Sequence, residues 1–214
     1  VKGRLIDAAQ ALGLVLSDAE ADALLAYQGL IAKWNKVYNL TAVRDPEQML
    51  TQHLVDCLAA VPPLRRLLAE QGRDAPALLD VGAGAGLPGV VFAILHPQLQ
   101  VHCVDTVAKK AAFVQQVAVE LKLPNLRGLH ARVESLVQGY DIVSSRAFAS
   151  LVDFTNWSRA ALKPGAVWLA MKGKEPVEEI AALSPQVQVF HVEHLQVPSL
   201  GAERCIVWMR PAAA

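Results

Sequence analysis

The sequence predicts an α/β fold: a mostly parallel sheet with helices on both faces, an antiparallel strand pair at its C-terminal end, and a set of helices ahead of it. Three observations predict it. From Ala77 onward, short apolar runs alternate with helical stretches, which is how strands joined by helical crossovers read. The last two apolar runs, 186–194 and 204–209, lie too close for a helix to fit between them, so they pair antiparallel. Ahead of Ala77 the apolar residues recur only at helical spacing.

The elements follow in order. Ser17-Asp18-Ala19-Glu20 is a capping box, after which Leu24, Tyr27, Ile31 and Trp34 fall on one helical face. Asp45 caps a further helix with Pro46 in its first turn. That helix runs to about Ala60, where Pro62-Pro63 stops it. Strands are expected over 77–81, 101–105, 126–130, 141–145 and 166–171, with helices near 88–95, 108–121 and 151–162. In the second of these helices Phe113, Val114, Val117, Ala118 and Leu121 face the sheet. Pro164-Gly165 turns the chain into the fifth strand, and a short helix near 176–183 precedes the final pair. Residues 212–214 are expected to fray. A parallel sheet closed by an antiparallel pair looks like the class I, Rossmann-like methyltransferase sheet, and unlike that of the classical dehydrogenases. The expected division is a helical extension over 1–70 packed on a core over 71–214.

Composition narrows the class. A chain of 214 residues, 53% hydrophobic, suits one α/β domain with an appendage. Its apolar runs are broken well short of a membrane span, and no basic stretch leads into an apolar one as in a signal peptide. Cys57, Cys103 and Cys205 form no C-x-x-C pair, and the latter two lie in strand-like apolar runs, as buried thiols do. A cytoplasmic monomer is expected. His191 and His194 lack metal-ligand company and read as strand residues, so no metal is expected. The formal net charge of zero argues against nonspecific nucleic-acid binding but leaves room for a local basic face.

The chemistry starts at Leu78-Leu79-Asp80-Val81-Gly82-Ala83-Gly84-Ala85-Gly86-Leu87-Pro88-Gly89. An apolar strand ends in an acid, and three glycines at alternate positions lead into a helix, the setting in which nucleotide-like cofactors bind. A G-x-G-x-x-G match from Gly82 fails at Leu87. A match from Gly84 comes too late, since Gly89 already lies in the helix that Pro88 opens. The pattern is D-x-G-x-G-x-G. S-adenosylmethionine carries a sulfonium and an amine and no pyrophosphate, so the Asp80 carboxylate beside Gly82 and Gly84 suits it better than a dinucleotide. The alternative is a glycine turn that binds nothing.

Asp105 ends the second strand, where a carboxylate can accept from both ribose hydroxyls; a helix cap with Thr106 is the other reading. Arg132-Val133-Glu134 follows the third strand and either reaches an adenine edge or is an ordinary solvated loop. The fourth strand ends Ser144-Ser145-Arg146-Ala147. It lacks both the Asn/Asp-Pro-Pro-aromatic motif frequent in exocyclic-amine methyltransferases and a nucleophilic Cys. Guanine N7 needs neither, because its lone pair is free and it carries no proton, so alignment suffices. Arg146 orients the guanine, binds the cofactor or makes a structural ion pair. Lys33 to Arg44 contains three cations, two aromatics and two asparagines (Asn35 and Asn39) and no acid, which suits phosphate contact with base stacking; Trp34 and Tyr38 equally suit a core.

Together these segments resemble the bacterial small-subunit (16S) ribosomal RNA guanine-N7 methyltransferases, the glucose-inhibited division protein B family. The resembling segments are Lys33–Thr41, His53-Leu54-Val55-Asp56, Asp80–Gly89, Arg132-Val133-Glu134, Ser145-Arg146-Ala147-Phe148-Ala149, Lys172-Gly173, Val197-Pro198 and Glu203-Arg204, in the family's order. The resemblance implies a cofactor site at Gly82, Leu87, Val133, Glu134 and Arg146, with Asp105 near the ribose. It implies RNA-facing roles for Lys33, Asn35, Lys36, Asn39, Arg44, Lys109, Lys110 and Lys172, toward small-subunit ribosomal RNA or its ribonucleoprotein particle. Gln52 and Cys57 depart from the family's usual cation and Ser. Two rival functions stay open at this point: a small-molecule methyltransferase and a noncatalytic RNA-binding module.

Overall fold

The computed structural model describes every residue except Ala147 and Ala214. Seven strands form one sheet in the order β3-β2-β1-β4-β5-β7-β6. Strands β1 (Ala77–Val81), β2 (Gln100–Asp105), β3 (Leu126–His130), β4 (Tyr140–Arg146) and β5 (Leu162–Lys172) are parallel. β7 (Arg204–Pro211) runs antiparallel to both β5 and β6 (Val187–Leu195). Strand order reverses beside β1, whose neighbours are β2 and β4. In open α/β sheets the crevice outside the carboxyl ends at that switch point is the ligand site, and here it lies over the glycine turn.

Helices α1 (Lys2–Ala11) and α2 (Asp18–Tyr38) come first. The capping box forms as expected: Glu20 N–H donates to Ser17 Oγ at 3.1 Å, and Ser17 N–H donates to Glu20 Oε1 at 2.9 Å. Leu24, Tyr27 and Ile31 are fully buried, and Trp34 is half-buried. The Tyr27 hydroxyl donates to Ala85 O at 2.7 Å, pinning α2 to the glycine turn. Leu5, Leu24 and Trp208 belong to one hydrophobic cluster, so the first helices and the sheet share a core.

The next helix departs from expectation. Asp45 sits at the N-cap of α3 (Pro46–Met49) without a side-chain cap bond. The helix then widens into a π-helical turn over Leu50–Val55 before α4 (Asp56–Leu58). Pro62-Pro63 do not end the helical region. They lie in the first turn of α5 (Val61–Gln71), where no N–H partner is needed. Pro164-Gly165 lie within the span of β5, where the register with β4 jumps from Tyr140↔Leu162 to Ile142↔Val167 and Gly165 has φ 80°, so the chain turns there before the continuous pairing of the strand begins.

The crossovers are α6 (Gly89–Leu95), α7 (Ala108–Glu120) and α8 (Leu151–Ser158), with α9 (Val177–Ala181) before the antiparallel pair. On α7, Phe113, Val114, Val117 and Ala118 are buried as the stripe predicts. All three cysteines are buried and free. At the C-terminus Ala212 N–H donates to Gln186 O at 2.8 Å, so fraying does not start there; Ala214 lies outside the described residues.

Candidate active site

The glycine turn is built as its sequence suggests. Gly82, Gly84 and Gly86 have φ of 63°, 56° and 99°, a region L side chains rarely enter. Asp80, expected at the cofactor, is placed elsewhere. It is fully buried beneath the turn, where its Oδ2 accepts from Gly89 N–H at 2.8 Å and its Oδ1 from the Ser144 hydroxyl at 2.9 Å. Burial pushes its carboxyl up to about 7 against those two donated bonds. Asp80 therefore fastens α6 and β4 under the turn. Its bond to Gly89 also occupies the first N–H of α6, the group on which a dinucleotide's pyrophosphate would rest.

Beside the turn lies a cleft of about 500 Å³, within the range of small-molecule sites (about 300–1,000 Å³). Gly82, Asp105, Val133 and Glu134 all line it. Asp105 Oδ2 accepts from Gly84 N–H at 3.1 Å and Oδ1 from Val107 N–H at 2.8 Å. It closes the local turn and stands at the cleft, but it does not cap α7, whose N-cap is Val107. Lys110 lines the same cleft, whereas Lys109 is exposed. Leu87 and Gly84 face a smaller pocket of about 150 Å³ on the other side of Gly82.

That smaller pocket opens on a polar cluster drawn from distant segments. The π-helical turn places His53 between two partners, a use such turns often have at functional sites. Arg146 Nη2 donates to His53 Nδ1 at 3.1 Å, so the neutral ring carries its proton on Nε2 and donates it to Thr41 Oγ1 at 2.7 Å. Burial, reinforced by the Arg146 charge, lowers the His53 pKa to about 4. Arg146 Nη1 donates to Asp56 Oδ2 at 3.1 Å and to Gln52 O at 2.9 Å. Arg204 Nε donates to the other Asp56 oxygen at 2.9 Å. Asp56 is only 2% exposed and bridges the two arginines. With Gln52, His53 and Lys172 they line a pocket of about 330 Å³. Two cations share one carboxylate here, and the adjoining histidine is neutral, which suits an anionic or acceptor-rich ligand.

The remaining expected residues divide. Lys33, Lys36 and Arg44 are exposed. Trp34 and Tyr38 stack on each other at 5.5 Å between centroids, with Lys33 Nζ 5.5 Å from the Trp34 ring. Asn35 is buried, its Oδ1 accepting from Thr41 N–H at 3.0 Å, so it shapes the turn and does not face solvent. Asn39 closes α2 at φ 50° and accepts from Arg44 Nη2 at 3.1 Å. Lys172 rims the polar pocket, but its ammonium is held by Ala149 O at 2.7 Å and Glu179 Oε1 at 3.1 Å. Sequence reasoning assigned no role to Thr41, His53, Asp56 or Arg204. Their signal was their presence in the segments that carry the resemblance.

Residues 20–207 match the family described as rRNA small subunit methyltransferase G. The chain belongs to that family. It is 64% identical over 214 residues to "Ribosomal RNA small subunit methyltransferase G" of Acidovorax sp. (strain JS42), covering 98% of this chain and 95% of the relative. It is 65% identical over 206 residues to the protein of the same name from Polaromonas sp. (strain JS666 / ATCC BAA-500), covering 96% and 91%. Among solved structures it superposes on TrmN from Thermus thermophilus with a TM-score of 0.55 at 18% identity, covering 76% of this chain and 53% of that one. For the ribosomal protein L11 methylase from Lactobacillus delbrueckii subsp. bulgaricus the TM-score is 0.54 at 12% identity, covering 71% and 78%. Those two likenesses establish the fold: the sheet order and antiparallel pair are those of a class I methyltransferase.

The cleft residues fit S-adenosylmethionine. Gly82 lines the cleft beside the turn, Asp105 supplies an acceptor at the end of β2, and the α6 terminus is already bonded to Asp80.

Proposed function

We propose that this protein transfers the methyl group of S-adenosylmethionine to N7 of a guanine in small-subunit ribosomal RNA, free or within its ribonucleoprotein particle. The observation that carries this reading is Arg146. It lines both the pocket beside the glycine turn and the larger polar pocket, and so spans the donor side and the acceptor side of the site. When bound, S-adenosylmethionine supplies an electrophilic methyl group on a sulfonium sulfur. No residue of the chain has to remove a proton, because guanine N7 carries none.

The polar cluster agrees with that demand. Both nitrogens of His53 are engaged, one by Arg146 and one by Thr41, and its pKa near 4 keeps it neutral at physiological pH. Arg146 stays protonated. Three of its five N–H groups are committed to Gln52, Asp56 and His53, leaving two without a partner among the described residues. Those two suit the O6 acceptor beside N7 and would hold the base in line with the methyl group, a rate gain by positioning. Lys33, Lys36 and Arg44, exposed on and just beyond α2, suit the RNA backbone, with residues 1–70 serving as the RNA-facing extension of the core. No helix among the described residues is long and apolar enough to cross a membrane, in keeping with action on ribosomal particles in the cytoplasm. A monomer suffices for this reading, since every proposed group lies on one chain.

Mass spectrometry of nucleosides from small-subunit RNA, taken from cells with and without the protein, tests the proposal. One N7-methylguanosine per RNA should disappear with the protein. An unchanged content would refute it.

A further inference from the structure

The cofactor cleft and the pocket beside the glycine turn have one lining residue in common, Gly82. At that point a Cβ on Gly82 would overlap the Phe148 ring, so the ring lies directly on the Gly82 backbone. Phe148 also meets Trp157 edge-to-face, with ring centroids 6.0 Å apart, and both aromatics line the cleft. Trp157 is 40% exposed. The ring therefore covers the one residue the two have in common: Asp105, Val133 and Glu134 line the cleft, and His53 and Arg146 line the pocket beside the glycine turn. A cofactor whose nucleoside lies by Asp105 and whose methyl group faces Arg146 has to pass Gly82.

We propose that Phe148 is a displaceable partition that covers Gly82, yields that space to the amino-acid arm of the cofactor, and so makes the passage between the cleft and the pocket beside the glycine turn dependent on cofactor binding. The inference rests on the S-adenosylmethionine reading of the cleft. Displacement costs the Phe148–Trp157 contact and the ring's cover over Gly82, and this cost is charged to cofactor affinity. The backbone φ of 63° at Gly82 gives the position a reason beyond the turn itself: any side chain there would displace the same ring.

The test is calorimetry of S-adenosylhomocysteine with the wild-type protein and Phe148→Ala. Removing the ring should tighten binding about 3- to 10-fold, the worth of one aromatic edge-to-face contact expressed as an equilibrium constant. Phe148→Leu, which retains apolar bulk, should fall between the two and guards against a folding defect in the alanine variant. Trp157 fluorescence gives a second readout. S-adenosylhomocysteine should change the emission of the wild type, and Trp157→Phe or Phe148→Ala should remove most of that change. Unchanged or weaker binding by Phe148→Ala, or a fluorescence change that survives in Trp157→Phe, overturns the partition. Wild-type protein that binds no S-adenosylhomocysteine at all overturns the cofactor reading, and the partition with it.

Discussion

The cofactor cleft and the polar pocket are joined through the small pocket beside the glycine turn, which shares Gly82 with the first and Arg146 with the second, but they are built in opposite ways. The cleft comes from strand ends and the turns that follow them: Gly82 after β1, Asp105 at the end of β2, and Val133 and Glu134 after β3. Backbone conformation dictates its residue types, and a short pattern suffices to write it. The polar pocket gathers Thr41, His53, Asp56, Arg146 and Arg204 from the helical extension, the end of β4 and the start of β7. Its residues are held by charge and hydrogen bonding across more than a hundred positions of chain. The cleft should therefore be sensitive to shape, and the pocket to charge and protonation.

The largest expected effect tests shape. Gly82→Val places a branched side chain at φ 63° and against Phe148. The strain and overpacking should weaken S-adenosylhomocysteine binding by on the order of 100-fold or more. Calorimetry showing near-normal affinity would mean that the cofactor does not approach this backbone.

Charge comes next. Asp56→Asn removes the carboxylate that two arginines share, and breaking a buried pair costs roughly 3 kcal/mol or more. Chemical denaturation measures this directly, and a loss below about 1 kcal/mol would mean that the arginines are solvated well without it.

Protonation has a sign that can be worked out. The His53 pKa is about 4 in the fold against an ordinary 6.5, so between those values the unfolded chain binds more protons and stability rises with pH. The contribution is complete above about pH 6.5 and is lost as pH falls toward 4, up to about 3 kcal/mol in all. Asp80 works the other way. Its pKa near 7 against 3.8 makes the native state the better proton binder, so its contribution is lost as pH rises from about 4 to 7. The two act in opposite directions over the same pH range, so the wild-type curve alone separates neither. The difference between wild type and His53→Gln isolates the histidine. It should slope downward toward acid, and a flat difference curve would show that the imidazole is not held neutral.

The smallest effect concerns the surface. Neutralising Lys33, Lys36 and Arg44 together should lower RNA-dependent turnover and reduce the slope of log affinity against log salt by about 2 to 3, one counterion being released per phosphate contact. S-adenosylhomocysteine affinity should be unchanged. An unaltered salt slope would make these cations an ordinary solvated face.

The same contrast explains what the sequence made legible. Strand alternation and the glycine pattern are local, so the sheet, its antiparallel closure and the positions of Gly82, Asp105 and Glu134 were readable. Asp80 was misplaced because its spacing indicates the end of a strand and not which way the carboxylate points; Ser144 and Gly89 decide that. Pro62-Pro63 read as a stop because a proline pair ends one helix as naturally as it begins another, and only packing distinguishes the two. The π-helical turn at His53 has no sequence pattern of its own. The resemblance implies an RNA-facing Asn35, but Thr41, six residues on, folds back onto it. Asp56 and Arg204 pair from positions 148 residues apart in the chain, which no periodicity encodes.

Methylation at this site needs no general base, because the accepting nitrogen carries no proton. The most direct test is methyl transfer by the purified protein to small subunits from cells that lack it, followed by borohydride reduction and aniline treatment of the RNA. One chain break is expected, at a single guanine, because among the methylguanines only N7-methylguanine makes the sugar labile to this treatment. Methyl incorporation without a break, or N1- or N2-methylguanine in the digest, would contradict it.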